Sequence, residues 1–198
     1  MKTKKAKTGS TPTSKRGFKT QKEFATWLEK NHVTSPGLLV RIARKGAGVK
    51  SITYLEAVET ALCYGWIDGL KLPESETAWL QRFTPRRTRS IWSKINRDKV
   101  AALIASGQMN EAGLKEIERA KADGRWEAAY DSQSGSAMPA DFEKELNRHP
   151  KAKAFFKTIS KANSYAITWR IQTAKKPETR ERRIRTFIEM LEKGETLH

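Results

Sequence analysis

The chain has 198 residues, six Trp and seven Phe, 37% hydrophobic residues and a formal charge of +17. That apolar content is enough for a buried core and excludes a wholly disordered chain. A single cysteine, Cys63, excludes an intramolecular disulfide, and so cationic a surface points to anionic partners such as nucleic acid, anionic lipid or phosphorylated metabolites.

The charge is uneven. Residues 1–22 carry eight Lys or Arg and no acid, while the other 176 residues carry 31 basic and 22 acidic groups. Residues 1–19 read as a flexible polybasic arm, too polar to offset its ordering entropy. No apolar stretch follows the N-terminal lysines, and no run reaches the roughly 18 apolar residues of a membrane span. A cytoplasmic location is therefore expected.

Thr20–Glu23 matches a capping box, in which a hydroxyl and a carboxylate satisfy the free N–H groups of a helix start. Phe24, Trp27 and Leu28 follow on one helical face. Leu38 to Arg44 alternates like a half-buried strand, with Leu38, Val40 and Ile42 on one side. The glycine-bearing Arg44–Lys50 stretch is a turn without the spacing of a Walker loop. A second capping box, Thr53–Glu56, opens a helix with Tyr54, Val58, Ala61 and Leu62 on one stripe, stopped by a left-handed Gly65.

Trp66–Leu72 and Thr77–Phe83 read as two strands joined through Pro73–Glu76, antiparallel if they form a hairpin. Asn96 can cap the next helix, with Val100, Leu103 and Ile104 apolar and Gly107 at its end. Asn110 can cap another, with Leu114 and Ile117, ended by Gly124. Asp131–Ala137 is a polar linker. Beyond it come Phe142 and Leu146, a helix opened by Pro150 with Ala152, Phe155, Phe156 and Ile159 on one stripe, and an interior helix over 162–173. Pro177 opens a last amphipathic helix with Ile184, Phe187, Ile188 and Leu191 inward. The fold class is α+β: a small antiparallel sheet with helices over 20–130, then a helical region over 138–194.

The chemistry concentrates in Arg82–Asn96. Arg82, Arg86, Arg87, Arg89 and Lys94, with Ser90 and other hydroxyls, form a candidate anion cradle, because guanidinium forks bind phosphate bidentately. Phe83 and Trp92 are interleaved with them; aromatics beside arginines can stack on bases, although both also read as core anchors. Glu178 and Glu181 are spaced to pair with Arg182 and Arg185, so the basic run over 175–185 reads as a solvated helix face. Asp68 between two glycines is a weak candidate for a general base and reads more simply as an arginine-paired structural residue. Three scattered histidines supply no metal-ligand spacing, and no cofactor is indicated.

Three strings, Ala61–Gly69, Arg82–Asn96 and Ala120–Trp126, resemble the bacteriocin-protection family, also labelled YdeI or OmpD-associated. The Thr173–Ile184 string fits the same family, and the resemblance spans roughly residues 20–194. It implies a part in stress tolerance towards bacteriocins or cationic peptides and brings no catalytic residues. A chain of charge +17 repels cationic peptides, so protection would act through an anionic target. The reading reached is a non-enzymatic cytoplasmic binding protein with an anion site. The alternatives are a nucleic-acid-binding protein and an enzyme acting on a phosphorylated small molecule through Asp68.

Overall fold

The structure, a computed structural model, describes residues 14–131 and 138–197. The chain divides into two compact units, one formed by Met1–Ser90 with Asn96–Glu127 and the other by Ile91–Ile95 with Ala128–His198. Among the described residues no helix is long and apolar enough to cross a membrane.

The first unit holds a four-stranded sheet made of β1 (Lys15–Gly17), β2 (Leu38–Ala43), β3 (Trp66–Pro73) and β4 (Ala78–Pro85), in the order β1-β2-β4-β3. β3 and β4 form the expected antiparallel pair, and β4 also runs antiparallel to β2. β1 runs parallel to β2, which makes the sheet mixed rather than wholly antiparallel. The end of the segment read as a flexible arm is thus a strand. Ladder bonds and the buried Phe18, 4.9 Å from the Phe24 ring, offset the ordering cost there. Residues 1–13, the rest of that arm, lie outside the described residues.

β2 alternates as its sequence dictates: Leu38, Val40 and Ile42 are buried, while Leu39, Arg41 and Ala43 are half-exposed. Two helices, α1 (Gln21–Asn31) and α2 (Tyr54–Cys63), carry apolar residues into the core of this unit. Thr20 Oγ1 accepts the Glu23 amide at 3.2 Å, and the Glu23 carboxylate accepts the Lys19 amide. The Thr53–Glu56 box closes in both directions, and Gly65 takes φ +73° after α2. Ala57, Val58, Ala61 and Leu62 are buried as the stripe requires, but Tyr54 stands exposed at the start of the helix.

α3 (Lys94–Ala105) begins two residues before the expected Asn96 cap. The cause is a pairing distant in sequence: Ser93 bridges Tyr130, and the Lys94 amide donates to the Tyr130 carbonyl at 2.9 Å. α4 (Glu111–Ala122) is capped as read, with Asn110 Oδ1 accepting the Ala112 amide; Ile117 is buried and Leu114 is exposed. Gly113 of α4 lies against the end of α2, where there is no room for a side chain.

In the second unit α5 (Ala140–Arg148), α6 (Pro150–Phe156), α7 (Lys161–Gln172) and α8 (Pro177–Glu192) share one core. It contains Phe142, Leu146, Ile167, Ile171, Phe187 and Leu191, so the periodicities on α5 and α8 read correctly. α7 is not interior on both sides, since Ile167 and Ile171 are buried but Ala162 is exposed and Tyr165, Ala166 and Trp169 are half-buried. α6 ends at Phe156, before the expected Ile159. Glu178 and Glu181 form no ion pair with Arg182 or Arg185. Arg180 instead makes two hydrogen bonds to the Asp141 carboxylate, which hold it below its ordinary pKa.

Candidate functional site

A β-strand shows alternate residues to opposite faces. Phe83 of β4 is fully buried, and so are its ladder partner Leu38 and neighbouring Val40, which fixes that face as the core side. Arg82 and Thr84 therefore project from the other face. Beyond β4 the chain turns, with the Arg87 amide donating to Ser90 Oγ and the Ser90 amide to the Arg87 carbonyl, both at 2.9 Å. These residues meet Gly69, Leu70 and Pro85 around a cleft of about 210 Å³ that no carboxylate lines. A Cβ added at Gly69 would lie in ordinary van der Waals contact with that of Arg82, at 3.9 Å.

Other members of the candidate cradle go elsewhere. Arg86 is 5% exposed, and its amide donates to the Gly65 carbonyl at 3.0 Å. Its charge acts inward on Glu116, whose carboxyl burial pushes above the ordinary range against the pull of Arg119, Arg86 and Arg125. Arg89 is exposed and lies outside the cleft lining. Trp92 and Lys94 belong to the second unit: Trp92 is 1% exposed, and Lys94 Nζ pairs with Asp131 at 2.7 Å. The core-anchor reading of Phe83 and Trp92 matches their burial.

Asp68 has a different partner from the one expected. The Tyr54 hydroxyl donates to its Oδ2 at 2.7 Å, and no arginine pairs with it among the described residues. Asp68 stands opposite Phe83 in the ladder, on the core side, so Arg82 and Thr84 point away from it. The structure does not bring the carboxylate and the arginines together.

Thr84, one of the hydroxyls of the Arg82–Asn96 segment, lines the cleft, whereas one contributor has no signal in the sequence. Arg125, 6% exposed, donates from Nη1 to the Ser90 carbonyl at 2.7 Å and from Nε to both Asp123 oxygens at 2.8 Å. It ties the turn that carries Ser90 from a position 35 residues away, which no local pattern signals.

The family comparisons divide the chain at a similar place. Residues 16–116, just over half of it, match the family model described as Domain of unknown function (DUF8412). Residues 136–194 match that described as Bacteriocin-protection, YdeI or OmpD-Associated. The chain belongs to the DUF8412 family and carries a bacteriocin-protection, YdeI or OmpD-associated domain. That domain coincides with α5–α8 and holds the Thr173–Ile184 string; the strings at 61–69 and 82–96 fall in the DUF8412 match. The string at 120–126 lies in neither, so the one-family resemblance over 20–194 resolves into two models. No curated protein and no solved structure matches the chain.

The cleft belongs to the DUF8412 part. In the OmpD-associated domain a groove of about 490 Å³ runs along α5 and α8 with five carboxylates in its lining. His149 stands 2.7 Å from Glu192 and 3.4 Å from Glu145, and these neighbours raise its pKa, the Glu192 hydrogen bond most of all. The net charge of the whole chain therefore does not describe its surface locally.

Proposed function

We propose that the protein is a binding protein whose DUF8412 unit takes a phosphate-type anion between Arg82, Thr84, Arg87 and Ser90. The observation that carries this reading is the shared cleft of these four residues, with no acid in its wall. Guanidinium groups donate in forks to phosphate oxygens, and hydroxyls complete the donor set. Arg87 is exposed, and no carboxylate pairs with it among the described residues, so its charge is available to a ligand. The volume supports a single anionic group, since whole organic ligands occupy pockets of about 300–1,000 Å³.

A phosphate of a nucleic-acid backbone carries the same chemistry, and salt dependence separates the two: contacts to several phosphates give a steep loss of affinity with salt. The reading as an enzyme finds no support at this cleft, because Asp68 does not line it. Calorimetric titration with inorganic phosphate and pyrophosphate at low salt tests the proposal. A hydrogen bond to a charged group contributes about 1.5–3 kcal/mol, so Arg82→Gln lowers affinity about tenfold or more. Equal affinity in wild type and in the Arg82→Gln/Arg87→Gln variant refutes it.

A further inference from the structure

We propose that a second cleft of the DUF8412 unit, between the Arg44–Lys50 loop and Trp79, binds an organic phosphate carrying a planar ring, the chemistry of a nucleoside diphosphate. The cleft holds about 730 Å³, within the roughly 300–1,000 Å³ of ligand pockets and several times the volume of the Arg82 cleft. Its lining includes the exposed Val49 and the half-buried Ala43 and Trp79, backed by the buried Ile42 and Ile52. Lys71 Nζ lies 4.6 Å from the Trp79 ring centroid, an attraction that steadies the indole.

The rim is cationic. Arg44, Lys45 and Lys50 are exposed, none has a carboxylate partner among the described residues, and no acid lines the cleft. Gly46 and Gly48 take φ +84° and +67°, and a Cβ built at either meets nothing within 4 Å. These glycines are therefore needed for backbone direction and not for close packing. Left-handed residues in a turn can aim consecutive amides at one anion, and the amides of Gly48, Val49 and Lys50 donate to no acceptor among the described residues. The N-terminus of α2 adds nothing to this, because Glu56 and Thr53 already fill it.

Both halves of the ligand follow from the wall and the rim. Cations and free amides select phosphate, and the indole with its aliphatic neighbours selects a flat ring, since bases stack on aromatic side chains. The site is independent of the Arg82 cleft: Trp79 pairs with Ile42 in the ladder, on the core side, whereas Arg82 and Thr84 project from the other face.

The test is titration calorimetry on the full chain carrying Arg82→Gln/Arg87→Gln, so that failure of the first cleft and of this one are read separately. ADP is expected to bind about tenfold more tightly than pyrophosphate, which lacks the ring, and than adenosine, which lacks the phosphates. Adding Lys45→Gln/Lys50→Gln, both on the exposed rim, weakens ADP about tenfold or more. Trp79→Leu weakens ADP towards the affinity of pyrophosphate. The proposal is overturned if ADP does not bind, if pyrophosphate matches it, or if ADP affinity survives Lys45→Gln/Lys50→Gln.

Discussion

Replacing Gly113 with alanine sets helix propensity against packing, and the structure gives the sign. Gly113 is the third residue of α4, where alanine alone would gain about 0.8–1.0 kcal/mol over glycine. A Cβ there would stand 2.4 Å from the Cys63 carbonyl oxygen and 2.7 Å from that of Leu62. It would also stand 2.6 Å from the Met109 methyl, which can move aside, but the two carbonyls belong to the backbone end of α2. Overpacking costs about 1–3 kcal/mol and sometimes more. The Cys63 carbonyl also accepts the Asn110 amide at 3.2 Å, so moving α4 away loses about 1 kcal/mol of hydrogen bonding. The net expectation is destabilisation by about 1–3 kcal/mol, read as a lower urea midpoint followed by circular dichroism. The damage reaches the cleft as well. Gly65 stands against Ala112 and Glu116, and its carbonyl receives the Arg86 amide just before the Arg87–Ser90 turn. Phosphate affinity should fall together with stability. A Gly113→Ala protein as stable as wild type, or more so, would show that α2 and α4 do not pack as described.

Three further outcomes follow from burial and charge. Trp92→Ala should cost the second unit about 3–5 kcal/mol in denaturant titrations and leave phosphate affinity unchanged; lost affinity at full stability would return Trp92 to the site. Burial, with the Glu59 charge adding to it, pushes the Cys63 thiol up to about 11, so the native protein should react slowly with a disulfide reagent at pH 8 and fast only in urea. Native reactivity equal to that of a free thiol contradicts this. His149 has a folded pKa raised above its unfolded value of about 6.5, so its stabilising contribution is complete below that pH and is lost as pH rises through the folded value. The urea midpoint of the second unit should decline above about pH 6.5, and His149→Gln should flatten that decline; an identical decline in the variant assigns it to other groups.

Much of the fold was legible because its signals are local. The Thr20 N-cap, the Thr53–Glu56 capping box, the alternation of β2, the left-handed Gly65 and the stripes on α5 and α8 all depend on neighbours a few residues away. β1 was not legible, since Lys15-Arg16-Gly17 has no apolar alternation and becomes a strand only through pairing with β2. The Asn96 cap failed for the same kind of reason, the Ser93–Tyr130 bridge starting α3 earlier. At the site, the contiguous arginine segment was legible as a composition but not as a surface. Strand alternation turns Phe83 inward and Arg82 outward, burial removes Arg86, and the chain passes into the other unit before Trp92 and Lys94. Arg125 carries no local sequence signal because its hydrogen bond to Ser90 spans 35 residues.

The anion site in the DUF8412 unit is tested by titrating pyrophosphate into wild type and Arg82→Gln/Arg87→Gln at low salt, reading the Ser90 amide resonance. Saturable binding to wild type that shifts this resonance is expected, with a loss of about a hundredfold or more in the variant. Binding of equal strength in both proteins, or saturable binding that leaves the Ser90 resonance unmoved, would contradict it.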